Sequence, residues 1–156
     1  MKNKYSSKDK LEDLIKRLRK KNKKIVFTNG CFDIIHPGHI YLLKKSKDMG
    51  DVLIVGLNSD SSIKKIKSED RPINKESDRV KILESIKHIN YVTIFNEETP
   101  LKLIKLINPD ILVKGGDYKI NEIVGSDFVI QNGGEVKIIP FIGGHSTSKL
   151  IDRIIK

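Results

Sequence analysis

Asp51-Val52-Leu53-Ile54-Val55-Gly56-Leu57 carries no polar side chain after its leading aspartate. A strand with one wet face alternates apolar with polar residues, so an unbroken apolar run is a strand covered on both faces. Upstream, Ile25-Val26-Phe27 is a second such run. Downstream, Tyr91–Phe95, Asp110–Val113 and Glu135–Ile139 are three more. Amphipathic stretches separate them. Gly38–Met49 stops at Gly50, a usual end for a helix. Residues 75 to 88 follow Asn74, a good N-cap, and set Val80, Leu83 and Ile86 on one face. Thr99-Pro100 is a cap followed by proline at the first helical position. A last helix begins around Ser146 and carries Leu150, Ile151, Ile154 and Ile155. Ahead of the first strand, Leu11, Leu14, Ile15 and Leu18 make an apolar stripe that packs on the domain or on a partner subunit. The pattern predicts an α/β fold: a five-stranded, mostly parallel, Rossmann-like sheet with helices on both faces, preceded by an N-terminal amphipathic helix. Ligands of such sheets sit beyond the carboxyl ends of the strands, where chain order reverses.

At 156 residues, with 38% hydrophobic and 32% charged residues, the chain is one globular domain. No apolar run is long enough to span a bilayer, and the lysine-rich start lacks the apolar core of a signal peptide. A cytoplasmic protein without a membrane partner is expected. The single cysteine, Cys31, excludes an intrachain disulfide and a cysteine-based zinc site. Net charge is +10, and its placement is uneven: residues 1 to 24 hold eleven Lys/Arg against three Asp/Glu, the remainder 19 against 17. Basic residues gathered on one leading helix, without interleaved aromatics, read as a solvated helix face, so no nucleic-acid partner is expected.

The first strand runs into Thr28-Asn29-Gly30-Cys31-Phe32-Asp33, and His36-Pro37-Gly38-His39 follows at a helix start. Neither the dinucleotide G-x-G-x-x-G spacing nor a P-loop occurs. Residues three apart on a helical turn share a face, so both imidazoles can address one ligand. Gly38 lets a phosphate approach the backbone amides closely. A metal is the other use for two histidines, but no carboxylate or third histidine has matching spacing, and no metal site is expected. Near the other end stands Gly144-His145-Ser146-Thr147-Ser148. Hydroxyls and free N–H groups at a helix start form an anion site. Ser146 alone would be a cap, but three hydroxyl residues behind Gly143-Gly144 exceed what a cap needs.

The segment Thr28–Asp33 with His36-Pro37-Gly38-His39 resembles the G-x-F-D-x-x-H-x-G-H signature of the cytidylyltransferase-like nucleotidyltransferases. The resemblance extends from about residue 22 to the end. Asn58-Ser59-Asp60, Lys67, Arg71-Pro72-Ile73-Asn74, Asp78-Arg79, Leu112–Tyr118 and Gly133–Val136 follow the order seen in D-glycero-β-D-manno-heptose 1-phosphate adenylyltransferases. It implies a basic helical leader, residues 1 to 22, and a nucleotidyltransferase domain, residues 23 to 156. The implied reaction joins ATP, with Mg²⁺, to heptose 1-phosphate. A cytidylyltransferase acting on glycerol 3-phosphate or a related polyol phosphate is the alternative. By this resemblance His36, His39 and Lys67 are catalytic. Thr28, Asn29, Gly30, Cys31, Phe32, Gly38, Asn58, Arg79, Ser146, Thr147 and Ser148 bind the nucleotide. Asp33, Lys114, Gly116 and Asp117 bind the sugar phosphate. A homo-oligomer, a dimer, is implied too, with a separate heptose kinase supplying the substrate.

Several of these residues have plainer readings. Lys67 stands beside Lys64 and Lys65 and fits a wet helix face equally well. Arg79 binds nucleotide or pairs with a carboxylate. Asp33 orients a histidine, caps the turn or meets substrate. Cys31 is a small residue in a tight loop rather than a nucleophile. His145 reads as a loop histidine, and His88 as a surface residue at a helix end.

Overall fold

The computed structural model describes residues 4 to 155; the first three residues of the basic leader and Lys156 lie outside the described residues. Five strands, β1 (Ile25–Gly30), β2 (Val52–Asn58), β3 (Tyr91–Phe95), β4 (Ile111–Gly115) and β5 (Glu135–Ile139), form one sheet in the order β3-β2-β1-β4-β5. Every pairing is parallel, with Phe27 opposite Ile54 and Leu112 opposite Val136. Seven helices accompany them among the described residues: α1 (Lys8–Lys20), α2 (Pro37–Lys47), α3 (Asp60–Ile66), α4 (Glu76–Ser85), α5 (Leu101–Ile107), α6 (Ser126–Gln131) and α7 (Thr147–Ile155).

The alternation of strand side chains across the sheet builds two cores. Ile25, Phe27, Val52, Ile54 and Leu112 face one, covered by α1, α5 and α6. Val26, Leu53, Val55, Leu57 and Val113 face the other, under α2 and α4. All seven residues of β2 are buried, as its unbroken apolar run predicts. The Leu11–Leu18 stripe of α1 is spent inside the protomer, in the first core, rather than on a partner. Burying each such side chain contributes about 1.5–3 kcal/mol. Arg19 adds an ion pair to Asp110 (Nη1 to Oδ2, 2.6 Å), and the same carboxylate oxygen accepts from the Ile25 N–H at 2.6 Å. Asp110 therefore joins α1 to the sheet just ahead of β4 instead of opening the strand. Residues 4 to 6 lie along the outer edge of β3, exchanging backbone hydrogen bonds with Val92.

Three helices differ at their ends from the sequence reading. Helix α2 ends at Lys47, before Gly50; that glycine is needed because a Cβ there would stand 2.7 Å from Val26 Cγ2 and 2.9 Å from the Lys24 carbonyl oxygen. Helix α4 is capped at Lys75, not Asn74, because Asn74 is tied to Asp33, and it ends at Ser85, short of His88. Pro100 occupies the N-cap of α5 itself, one position earlier in the helix than predicted. Helix α6 has too short an apolar pattern to have been recognised in advance.

Candidate active site

Chain order reverses between β1 and β4, and a cavity of about 330 Å³ opens beyond their carboxyl ends. Asn29 and Gly30 from the end of β1, Cys31, Phe32 and Asp33 from the following loop, and Gly38 from α2 line it. Lys114 from β4, Lys67 after α3, and Ser146, Thr147 and Ser148 at the start of α7 complete the residues anticipated from sequence.

His36 occupies the N-cap of α2 in extended conformation, Pro37 opens the helix, and His39 follows in its first turn. The two imidazoles stack with centroids 3.7 Å apart and planes at 23°. Phe32, itself buried, packs against His39 at 5.2 Å between centroids. Both Nδ1 atoms are buried without a protein partner, so neither ring is committed within the fold. Burial, and then the neighbouring His36, push the His39 imidazole down to about 4. Burial, then His145, lower His36 as well. At neutral pH the pair is uncharged, and each ring offers one N–H to an incoming anion.

Helix α7 brings a second N-terminus to the same cavity. The Ser146 Oγ accepts from the Lys149 N–H at 3.1 Å, so Ser146 does cap the helix. The Thr147 hydroxyl donates to the Ile34 carbonyl at 3.2 Å, which ties α7 to the loop before α2. His145, left without a role by the sequence, lines the cavity with its ring 6.2 Å from that of His36 and nearly parallel to it. Its approach was hidden because nothing in the sequence joins residues 145 and 36.

The cavity also carries cations. Lys67, Arg71 and Lys114 line it, and the only carboxylate among the lining residues is Asp33. Burial lowers the Lys114 ammonium, and its Nζ lies 5.8 Å from the centre of the Tyr118 ring. Burial pushes the Cys31 thiol up despite Lys67, Arg79 and Arg71 nearby. It is therefore a resting thiol, as a loop residue should be, and no nucleophile.

Five anticipated residues stand elsewhere. Arg79 is fully buried: its Nε donates to the Asn74 carbonyl, its Nη1 to those of Cys31 and Asn58, and its Nη2 to Asp60 Oδ1 at 2.7 Å. It clamps the loops beneath the cavity instead of reaching a nucleotide, and its carboxylate partner is Asp60 rather than the adjacent Asp78. Asn58 is buried and donates to Ser62 Oγ at 3.0 Å. Thr28 is buried within β1 with its hydroxyl unpartnered. Gly116 (φ +121°) receives the Phe141 ring, which would lie 2.8 Å from any Cβ, and Asp117 beside it is exposed and is not among the residues lining the cavity. Tyr41, Arg71, Tyr118 and Phe141 line the cavity without having been proposed as site residues. Arg71 and Tyr118 were visible only as parts of longer motifs, and Phe141 gave no signal of its own.

The model of the family described as cytidylyltransferase-like matches residues 27 to 152. The chain is 53% identical over 146 residues to the bifunctional protein HldE of Nitratiruptor, covering 94% of this chain and 31% of that protein. It is 54% identical over 143 residues to the HldE of Campylobacter jejuni subsp. doylei, covering 92% and 30%. It thus spans about a third of the length of these curated relatives. Among solved structures, the lipopolysaccharide core biosynthesis protein of Thermoplasma volcanium superposes with a TM-score of 0.63 at 31% identity, over 77% of this chain and 97% of that one. Pantoate-beta-alanine ligase of Francisella tularensis (TM-score 0.65, 19% identity, 92% of this chain and 68% of that one) shares the fold. No helix among the described residues is long and apolar enough to cross a membrane. The paired histidines at the end of β1, the hydroxyl-bearing helix start opposite them and the match over residues 27 to 152 agree: the chain belongs to the cytidylyltransferase-like family of nucleotidyltransferases.

Proposed function

We propose that the chain transfers AMP from ATP to D-glycero-β-D-manno-heptose 1-phosphate, forming ADP-heptose and pyrophosphate in the cytoplasm. The observation that carries this reading is the stacked His36–His39 pair at the start of α2, lining one cavity with Ser146, Thr147 and Ser148 of α7. Two helix starts supply free N–H groups and the positive ends of their dipoles to a polyphosphate. An oxygen of the sugar phosphate attacks the α-phosphorus in line. The bond to the bridging oxygen breaks, and pyrophosphate leaves with its electron pair. The attacking phosphate is already ionised at neutral pH, so no protein base is required. The residues' contribution is positioning, with imidazole N–H groups and the Lys67 ammonium meeting the charge that grows on the α-phosphate.

Among the described residues no group of three or more His, Cys, Asp or Glu is placed to hold a metal ion. A Mg²⁺ would be held by the triphosphate and water, and would supply charge neutralisation there. The heptose assignment is supported by the Arg71–Asn74 and Leu112–Tyr118 segments and by identities above 50% to the HldE proteins. A homodimer is proposed through a face other than the α1 stripe, which is already buried.

Pyrophosphate release with ATP and with CTP, each against heptose 1-phosphate and glycerol 3-phosphate, tests the reading. Turnover confined to ATP with the heptose phosphate is expected. Turnover with CTP and glycerol 3-phosphate would instead make the chain a polyol-phosphate cytidylyltransferase.

A further inference from the structure

The Asp33–Arg71 pair takes no part in the chemistry above, although both side chains line the cavity. The Asp33 side chain is 1% exposed. Its Oδ2 accepts from Arg71 Nε at 2.8 Å and from the Ile73 N–H at 2.9 Å, and its Oδ1 from the Asn74 N–H at 2.8 Å. The Asn74 side-chain amide returns a bond to the Asp33 carbonyl at 2.6 Å. A carboxylate holding three donors is committed to the protein, which removes the reason to have Asp33 bind the substrate directly.

Arg71 is in the opposite condition. Its side chain is 16% exposed. With Nε spent on Asp33, Nη1 and Nη2 have no acceptor among the described residues. A guanidinium held by one edge keeps a second, planar edge of N–H groups, which matches two oxygens of one phosphate. Lys67 and Lys114 line the same cavity, and the charges of Lys67 and Arg71 are both felt at the Cys31 thiol. Asp33, paired with Arg71, offsets one of these charges, and no other carboxylate is among the lining residues. In the proposed reaction the polyphosphate lies at the starts of α2 and α7 with Lys67 at its α-phosphate, so Arg71 and Lys114 remain for the second anion, whose oxygen attacks there.

We propose that Arg71 anchors the phosphate of the acceptor substrate through its free guanidinium edge, and that Asp33 is a positioning residue that aims it. This rests on the proposed reaction, in which the acceptor is a phosphomonoester. The buried Asp33 fixes the guanidinium plane before the acceptor arrives, so less side-chain freedom is lost on binding.

Steady-state pyrophosphate release by the full chain tests this with Arg71→Gln, Arg71→Lys and Asp33→Asn. Charged hydrogen bonds of this kind correspond to roughly 10- to 100-fold in affinity. Arg71→Gln is expected to raise KM for the sugar phosphate by that factor, with KM for ATP within about twofold and a much smaller change in kcat. Arg71→Lys recovers only part of the loss, since an ammonium restores charge without the fork. Adding Asp33→Asn to Arg71→Gln raises the acceptor KM no further, because the aimed group is already gone. Equal effects of Arg71→Gln on both KM values, or on neither, overturn the proposal, and so does full recovery in Arg71→Lys. If Asp33→Asn does not fold, the two Arg71 variants decide alone. If the wild type turns over no acceptor, the proposed reaction fails, and calorimetry with inorganic phosphate in saturating α,β-methylene-ATP decides about Arg71. At least tenfold weaker phosphate binding by Arg71→Gln than by wild type supports the anchor, and equal affinity refutes it.

Discussion

Arg71 and Arg79 sit on consecutive segments of the same connection, and the protein uses them in opposite ways. Arg79 is fully enclosed and donates to three carbonyls and a carboxylate, joining the loops after β1 and β2 to the segment before α4. Arg71 gives one nitrogen to Asp33 and keeps the rest at the cavity wall. A guanidinium with its donors consumed inside the protein is architecture, and one with an unclaimed edge in a cavity is recognition. Residue type does not separate the two; the count of acceptors around each does.

The sharpest way to break this contrast is to remove Arg79. Arg79→Met should cost about 3–5 kcal/mol in a urea melt, because the Asp60 carboxylate and three carbonyls lose a buried partner. Arg71→Gln should cost less, because the Asp33 carboxylate it leaves behind still accepts from the Ile73 and Asn74 N–H groups. Similar losses for both would erase the distinction. Next in size, His36→Ala or His39→Ala should lower kcat roughly 10²- to 10³-fold, equivalent to about 2.7–4 kcal/mol, with little change in ATP affinity. Unchanged turnover in both variants would move the chemistry away from α2.

A smaller effect concerns pH. The folded His39 resists protonation until about 4, whereas the unfolded chain takes up the proton near 6.5. The unfolded state therefore binds more protons between these values, and stability is lost as pH falls from about 6.5 towards 4. For this one group the loss is at most about 3 kcal/mol. His39→Asn should flatten that part of the Tm-against-pH curve; an unaltered slope would assign the acid sensitivity to other groups. Smallest of all, Ser146→Ala should destabilise α7 by about 1 kcal/mol through loss of its cap. Calorimetry on Ser148→Ala, which caps nothing, then reads weakened ATP binding without that structural component. Equal ATP affinity in Ser148→Ala and wild type would leave α7 a structural neighbour only.

The presence of the strands and their parallel pairing were legible because they depend on local pattern. Unbroken apolar runs at 25–27 and 52–57 demand cover on both faces, and the amphipathic stretches between them supply it. The histidine turn was legible too, since a spacing of three residues is enough to stack His36 on His39. Helix caps were read less well: Asn74 has the right chemistry for a cap, but Asp33, distant in sequence, claims it.

From the sequence alone came the parallel α/β sheet, the apolar stripe of α1 and the two segments read as anion sites, 36–39 and 146–148. Each is encoded in a run of a few residues whose periodicity or hydroxyl content has a direct physical consequence. Only the tertiary structure decided which charged side chains remain available. Asp33 and Arg79 are consumed by partners 5 to 48 residues away, all but one of them at least 19 away, while Arg71 keeps an open edge. A charged group's role is set by how many partners the folded chain brings to it, and that count exists only after the loops have met.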